Sequence, residues 1–312
     1  MRVHRFAPLL LSFELFLTVL PARAADMKPE DIVAKHLDSI GTAQARGAAK
    51  SRVVEGTVTY RILVGGAGNS DGKSVLVSEN EKLHFMMKLN NTQYRGEQFI
   101  YDGNKDEISF SNANQSRSAF GDFVRLQDIV LREGLLGGTL STAWPLYDLN
   151  ERKAKLSFEG TKKIDGKDLY QLRYKPKKST DADIFLYFDP QTFQHVMTVY
   201  SVRLRAPLGN VDPQLANSVP ANTGDIGPNL PATGGIVGDT NETATAHQSE
   251  TRYRLEERFS EFEAFNGLNL PTHYTIQFSQ EGGNRSTLTE WAITASQITN
   301  GTGVDERNFA VK

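Results

Sequence analysis

The sequence predicts a mainly β protein, a curved antiparallel half-open barrel of roughly eleven to twelve strands. An amino-terminal helix and a lid, made of a mid-chain helix and loop, are expected to close it. Two observations lead to this fold class. Segments with apolar residues at every second position follow one another across short turns, and the strand–helix–strand alternation of a parallel sheet is absent.

The first residues have the character of a secretory signal peptide, which we place at residues 1–24. Arg2 and Arg5 precede an apolar run, and the run closes with small residues at Ala22-Arg23-Ala24. The alternative is an uncleaved anchor, but the run is shorter than the ~20 residues that a membrane span needs. Residues 25–312 are then expected to form a single β domain in the periplasm.

Composition narrows the class of protein further. The chain has no cysteine, so a hydrophobic core rather than disulfides must hold it, and the cysteine that carries a lipid anchor in bacterial lipoproteins is missing. Removing Arg2, Arg5, Arg23 and Glu14 with the signal changes the formal net charge from −2 to −4. A mildly acidic chain without a basic block is a poor candidate for binding nucleic acid or anionic membrane surfaces.

The stretch "DMKPEDIVAKHLDSIG" predicts the amino-terminal helix. Asp26 is a candidate cap, Pro29 lies near the first turn and Gly41 ends the helix. One apolar stripe runs along it, formed by Ile32, Val33, His36, Leu37 and Ile40. We expect this stripe, with His36 as a packed core histidine, to plug one side of the sheet.

The first strands follow. In "VVEGTVTYRILV" the residues Val58, Tyr60, Ile62 and Val64 share one face, and "GGAGNSDG" is predicted to be a loop. "KSVLVSE" and "KLHFMMKLNN" are the next strands. "EQFIYDGNKDEISFSN" is predicted to be a hairpin that turns at Asp102-Gly103.

A helical pattern then interrupts the strands, and it supplies the predicted lid. Apolar residues recur at spacings of three and four, and large apolar residues continue into a loop rich in glycine and threonine. The lid residues are Phe123, Leu126, Ile129, Val130, Leu135, Leu136 and Trp144.

The later strands include "DADIFLYFDPQTFQHVMTVYSVRL", which is apolar on both faces. Leu186 and Phe188 share one face, and Phe185 and Tyr187 share the other. Either one face looks into an apolar interior, or the strand is central and covered on both sides. Further hairpins turn at Asp165-Gly166 and Asn266-Gly267. Residues 206–248 lack any period and are predicted to be a flexible insertion.

Signals of catalysis are weak. No metalloprotease, nucleophile-elbow or phosphate-loop motif is present, and the histidines are scattered singly. The carboxylates of "EERFSEFE" are interpreted as a solvated face. We therefore expect no enzyme activity, no cofactor and no metal site.

The apolar strand positions are more informative, because one short helix cannot cover so large a sheet. A curved sheet leaves an interior space, and aromatic and aliphatic walls suit an acyl chain. The expected cavity residues are Tyr60, Ile62, Phe85, Met87, Tyr101, Tyr200, Tyr253, Leu255, Tyr274, Ile276 and Phe278.

The order of elements resembles the lipoprotein-carrier family typified by LolA, which includes outer-membrane lipoprotein-sorting proteins and the related sensor RseB. The resemblance covers nearly the whole mature chain. It rests on "PEDIVAKHLDSIG", "VVEGTVTYRI", "FIYDGNK", "LQDIVLREGLLGG" and the pair "IDGKDLYQLRYKP…DIFLYFDPQTFQHVMTVYS". The insertion at 206–248 departs from the compact members.

The resemblance implies a periplasmic, non-enzymatic protein that holds the acyl chains of a lipoprotein or another lipid during transfer. The alternative is an extracytoplasmic sensor or interaction module of the RseB kind. The expected partners are therefore lipid or lipoprotein acyl chains and, for the alternative, an envelope membrane protein.

Overall fold

The computed structural model describes residues 27–109, 118–205, 250–282 and 285–311. Twelve strands make one sheet in these ranges. They are β1 Ser51–Val64, β2 Asn69–Glu79, β3 Lys82–Leu89, β4 Gly96–Tyr101, β5 Asp106–Ser109, β6 Lys155–Ile164, β7 Lys167–Lys175, β8 Asp183–Phe188, β9 His195–Arg205, β10 Glu250–Phe265, β11 Leu268–Gly282 and β12 Arg285–Asn300. The predicted signal peptide, the candidate cap Asp26 and the predicted insertion lie outside the described residues.

The strand order is β5-β4-β3-β2-β1-β12-β11-β10-β9-β8-β7-β6, and every pairing is antiparallel. The predicted mainly β, open antiparallel architecture is confirmed, because β5 and β6 form two unjoined edges. Neighbours in the chain are neighbours in the sheet except at one place. The chain leaves β5 at one edge and starts β6 at the other, so residues 118–154, called here the crossing segment, must pass over one face.

The helices lie on that face, called here the inner face, or at its ends, whereas the 3-10 turn Glu306–Phe309 packs against β3 on the opposite face. They are α1 Pro29–Ile40, α2 Ala43–Ala48, α3 Ala119–Leu126, α4 Ile129–Arg132 and α5 Leu149–Arg152, with 3-10 turns at Gly138–Leu140, Pro145–Tyr147 and Glu306–Phe309. Gly41 ends α1 as predicted, and His36 is fully buried. None of the described helices is long and apolar enough to cross a membrane.

The structure corrects two predicted boundaries. The mid-chain helix is interrupted between α3 and α4, because Gln127 adopts φ −111° and ψ 60°, outside the helical region. The loop predicted at "GGAGNSDG" is shorter, since Asn69–Gly72 belongs to β2 and pairs with β1 from Arg61 back to Val58. The Thr59 hydroxyl also donates to Asp71 Oδ1 at 2.8 Å, which stabilises this pairing.

The crossing segment fills the middle of the inner face. Eleven of its apolar side chains have exposed fractions of 0–4%, and they join one core cluster with residues of α1 and most strands. The buried members are Phe120, Phe123, Val124, Ile129, Val130, Leu131, Leu135, Leu136, Leu140, Trp144 and Leu146. The loop rich in glycine and threonine can carry these large apolar residues because they are removed from water in the core.

The strand that is apolar on both faces is β8, and protein covers both of its sides. Leu186 and Phe188 join the main core, while Tyr187 belongs to a small second cluster with Leu169, Met197 and Val199. Phe185 packs on that cluster, and the guanidinium of Arg173 lies 5.8 Å from its ring centre. One face of β8 therefore looks into the apolar core, and on the other face side chains of β7 and β9 bury Tyr187 while Phe185 stays partly exposed.

Truncating a core side chain of the crossing segment should destabilise the whole protein. Leu135 is fully buried, so Leu135→Ala should lower the free energy of unfolding in urea by about 2–5 kcal/mol. Leu63→Ala, at a residue 44% exposed, should cost less than about 1 kcal/mol. Equal losses for the two variants would contradict a core built around this segment.

Candidate ligand-binding cavity

A cavity of about 660 Å³ remains where the crossing segment does not fill the inner face. It lies between α3 and one end of the sheet, at the last residues of β1, β9 and β11 and the first residues of β10 and β12. Seven of its 21 lining residues are aromatic, namely Tyr60, Tyr94, Phe120, Phe123, Tyr253, Phe278 and Trp291. The volume falls within the ~300–1,000 Å³ of small-molecule sites.

The aromatic rings touch one another, which gives the wall a defined shape. Tyr60 lies 4.8 Å from Tyr94 and 5.6 Å from Trp291 between ring centres. Phe120 lies 5.0 Å from Trp291, and Phe123 lies 5.4 Å from Phe278. These tilted contacts are in the range that aromatic pairs favour, so the rings are held in place without a ligand.

The mouth of the cavity is apolar as well. Leu63, Val64, Leu126 and Leu204 are the exposed large apolar residues of the described chain, and the last three line the cavity, with exposed fractions of 46%, 53% and 37%. Single exposed apolar residues are ordinary, but three around one opening form a patch of the kind that marks interaction sites.

A buried carboxylate, Glu97 of β4, fixes α3 beside the cavity. Its oxygens accept hydrogen bonds from the backbone N–H of Ser118 at 3.0 Å, the Ser118 hydroxyl at 2.8 Å and the Tyr94 hydroxyl at 3.0 Å. Trp291 Nε1 donates in turn to the Tyr94 hydroxyl at 3.1 Å. Gly121 allows α3 to lie this close, because a Cβ there would be 2.3 Å from Glu97 Oε1. Burial raises the pKa of Glu97 to about 7 despite these hydrogen bonds.

A second buried carboxylate, Glu257 of β10, holds the crossing segment further along. It accepts hydrogen bonds from the backbone N–H of Gly137 at 2.8 Å, the Tyr200 hydroxyl at 2.7 Å and the Tyr274 hydroxyl at 2.5 Å. Gly137 has φ +80°, a conformation that favours glycine. Burial raises the pKa of Glu257 to about 7, and the three donors only partly offset it.

Two further contacts attach the crossing segment at the end away from the cavity. The buried guanidinium of Arg52 donates to the Thr139 carbonyl and to Asn300 Oδ1. Trp144 Nε1 donates to His36 Nε2 at 3.1 Å, so His36 carries its proton on Nδ1 and donates to the Phe193 carbonyl at 3.0 Å. Burial lowers the pKa of His36 to about 4, so the ring is neutral.

The structure places only part of the predicted site at the cavity. Tyr60, Ile62, Tyr253 and Phe278 of the predicted wall line it, as do Phe123 and Leu126 of the predicted lid. The other predicted residues are buried in the packed core, away from the cavity lining. They are Phe85, Met87, Tyr101, Tyr200, Leu255, Tyr274 and Ile276 of the wall and Ile129, Val130, Leu135, Leu136 and Trp144 of the lid.

Sequence reasoning missed the two glutamates, and the interpretation of "EERFSEFE" as a solvated face is wrong for Glu257, which is fully buried. Alternation along β10 contained the signal, because it places Glu257 on the same face as Leu255 and Phe259. On β4, Glu97 and Phe99 are likewise two residues apart and therefore lie on the same face of the sheet. The rule that charge runs are solvated failed because Tyr200 and Tyr274, on the neighbouring strands, supply hydroxyl donors inside the core.

Two histidines that are far apart in the sequence lie close together in the structure. His36 and His195 lie 6.2 Å apart between ring centres, with Trp144 against both. The pKa of His195 is lowered well below its ordinary value by burial. Within the described ranges no group of three or more metal-binding side chains occurs. His247 lies outside the described residues.

No family model matches the chain, and no curated protein matches it. Solved structures do match. One is a LolA superfamily protein, NE2245 from Nitrosomonas europaea, at 11% identity over 92% of this chain and 99% of that one, with a TM-score of 0.43. Another is a putative outer membrane lipoprotein-sorting protein domain from Vibrio parahaemolyticus, at 10% identity over 89% and 97%, with a TM-score of 0.40.

A third match is the Pseudomonas aeruginosa MucA/MucB complex, at 11% identity over 88% of this chain and 100% of that one, with a TM-score of 0.24. The first two structures belong to the group that the sequence resembles. At these identities and TM-scores the likeness is one of fold alone, and it assigns no functional residue to this chain.

The two buried glutamates should make stability fall as pH rises. Their pKa is about 7 in the folded chain and near 4.5 when exposed, so their contribution is complete below about pH 4.5 and lost as pH rises through about 7. Glu257→Gln mimics the protonated form. It should therefore gain about 1–3 kcal/mol relative to wild type between pH 5 and pH 8 in urea unfolding.

Glu55→Gln is the matched control, because Glu55 is exposed on β1. Its stability should follow the wild-type pH profile. If Glu257→Gln also kept the wild-type pH profile, the raised pKa of Glu257 would be contradicted.

Proposed function

We propose that this protein binds an apolar chain of a lipid or lipoprotein in the aromatic cavity and carries it, without catalysis, through the cell envelope. The observation that supports the proposal most directly is the cavity itself, a space of about 660 Å³ with an aromatic wall and an exposed apolar rim. The apolar part of its lining is larger than the polar part, so the space suits a hydrocarbon chain that carries a small polar group better than a wholly polar metabolite.

Simple energetics support reversible loading. Each methylene moved from water into the cavity contributes about 0.8 kcal/mol, and covering Val64, Leu126 and Leu204 at the rim adds apolar burial. A chain that enters partly is therefore held and can still leave for a site that buries more of it. Transfer then needs only a partner with a larger apolar surface.

A cargo with several acyl chains would have to displace the crossing segment. Displacement breaks the contacts of Glu257 with Gly137, of Arg52 with Thr139 and of Trp144 with His36. A hydrogen bond contributes about 0.5–1.5 kcal/mol, or about 1.5–3 kcal/mol where one partner is charged, so a few buried methylenes per contact would offset this cost. The closed structure is then the unloaded form.

A second candidate function is a sensor or interaction module that a membrane-bound regulator recognises. The filled centre of the inner face favours it, since the side chains of the crossing segment already occupy most of the space a large cargo would need. A stoichiometric regulator captured from envelope extract by the delipidated chain would support this function. Capture that requires lipid would support the carrier.

In both cases the location is proposed to be the periplasm, with the mature chain soluble. This rests on the charged and apolar pattern of residues 1–24 and on the absence of cysteine from the whole sequence. Glu97 and Glu257 are each bound by protein donors, which fits a structural rather than a catalytic use.

Two adjacent residues provide a matched test of the cavity. Val64 lines it and Leu63 does not, yet their exposed fractions are 46% and 44%. Val64→Asp should reduce the lipid that co-purifies with the chain, and the affinity for a fluorescent fatty chain, by about tenfold or more, because it places a charge at the mouth. Leu63→Asp should bind like wild type in mass spectrometry and titration.

Equal loss of binding in both variants would point to a general surface effect and would contradict the cavity. Thermal unfolding of each variant checks that the fold is retained. A wild-type chain that carries no lipid and binds no fatty chain would count against the carrier.

A further inference from the structure

We propose that the cavity prefers an amphiphile with an ammonium group over one with an anionic head group. The inference rests on the proposed function, because it concerns which chain-bearing molecule the same cavity accepts. Three features carry it: the sign of the charge in the lining, the density of aromatic rings, and a second carboxylate directly behind the wall.

Among the described lining residues, Asp122 is the one with a charged side chain, and lysine, arginine and histidine are absent from that lining. Asp122 lies in the first turn of α3, with 27% of its side chain exposed. The Nε atom of Arg125 lies 3.8 Å from Asp122 Oδ1. An anionic group that enters this space meets no cationic side chain of the described lining. It loses its hydration without a charged partner, which is costly.

The aromatic wall favours a cation as well. The faces of Tyr, Trp and Phe rings carry negative electrostatic potential and attract cations, and alkylammonium groups are bound in this way. Tyr60, Tyr94 and Trp291 form one cluster of such rings, and Phe120 joins it through Trp291. A sulfate or carboxylate against the same faces is repelled.

Behind the wall, Glu97 adds to the same sign of potential when it is ionised, which occurs as pH rises above about 7. It lies under Tyr94 and Ser118, both of which line the cavity. Gly121, the neighbour of Asp122 in the chain, lies directly against Glu97, since a Cβ there would be 2.3 Å from Glu97 Oε1. Burial is the largest cause of the raised pKa of Glu97, and the charge of the nearby Asp122 raises it further. A cation in the cavity would stabilise the ionised form of both.

The experiment compares three molecules that share one dodecyl chain and differ in the head group. Dodecyltrimethylammonium, dodecanol and dodecyl sulfate are titrated below their aggregation concentrations into the purified, delipidated full chain. The readouts are calorimetry and tryptophan fluorescence, to which Trp291 of the wall and the buried Trp144 both contribute. The ammonium compound should bind about tenfold more tightly than the sulfate, with dodecanol between them.

Asp122→Asn should narrow the ratio between the ammonium and the sulfate compound by about threefold or more, while dodecanol binding stays the same. Asp38→Asn is the control, since Asp38 is exposed on α1 and outside the cavity lining. It should leave all three affinities unchanged. Added salt should weaken the ammonium compound and not dodecanol.

The outcomes separate this inference from the proposed function. If dodecanol and dodecyl sulfate bind as tightly as the ammonium compound, or the sulfate binds more tightly, the charge preference is overturned and chain binding stands. If none of the three binds, the proposed function is overturned, and the inference falls with it. If the ratio in Asp122→Asn equals that of wild type, Asp122 is not the source of the preference.

Discussion

The pairing of β1 with β12 is the constraint on which the rest of the structure depends. It runs from Arg52 opposite Asn300 to Val64 opposite Leu288, and it joins the two ends of the described chain into one sheet. Once these strands pair, β5 and β6 are forced to opposite edges. The connection between them has no route along an edge, so it must cross a face, and an apolar crossing segment is the consequence.

A segment buried on a sheet needs partners for its backbone, and the strands supply them. Glu257 lies in a row of inner-face residues that are opposite one another across neighbouring strands, and this row is Leu172, Leu186, Thr198, Glu257, Ile276, Trp291 and Tyr60. A carboxylate in such a row is costly unless it is hydrogen-bonded. The Glu257 carboxylate accepts hydrogen bonds from two tyrosines and from Gly137. These bonds reduce the cost of burying it, and the bond from Gly137 also fixes the crossing segment.

The cavity follows from the same geometry. The crossing segment starts with α3 at one end of the sheet and covers the middle of the inner face, so the space that remains lies beside α3, where Glu97 anchors it. The two carboxylates therefore lie in two regions of the inner face that have different roles. Around Glu257 the face is closed by the protein itself, and in front of Glu97 it is open to a ligand of suitable size and charge.

Local structure can be predicted from the sequence. Alternation of apolar residues and the Asn266-Gly267 and Asp165-Gly166 turns predict the strands, since strand period and turn conformation are properties of neighbouring residues. Four of the seven residues of the aromatic wall are among the predicted site residues, Tyr60, Tyr253 and Phe278 as wall and Phe123 as lid. Which apolar residues stay uncovered, and the meeting of Glu257 with Gly137, depend on contacts between residues far apart in the chain. Only the tertiary structure decided these, because the burial of a side chain depends on what lies opposite it.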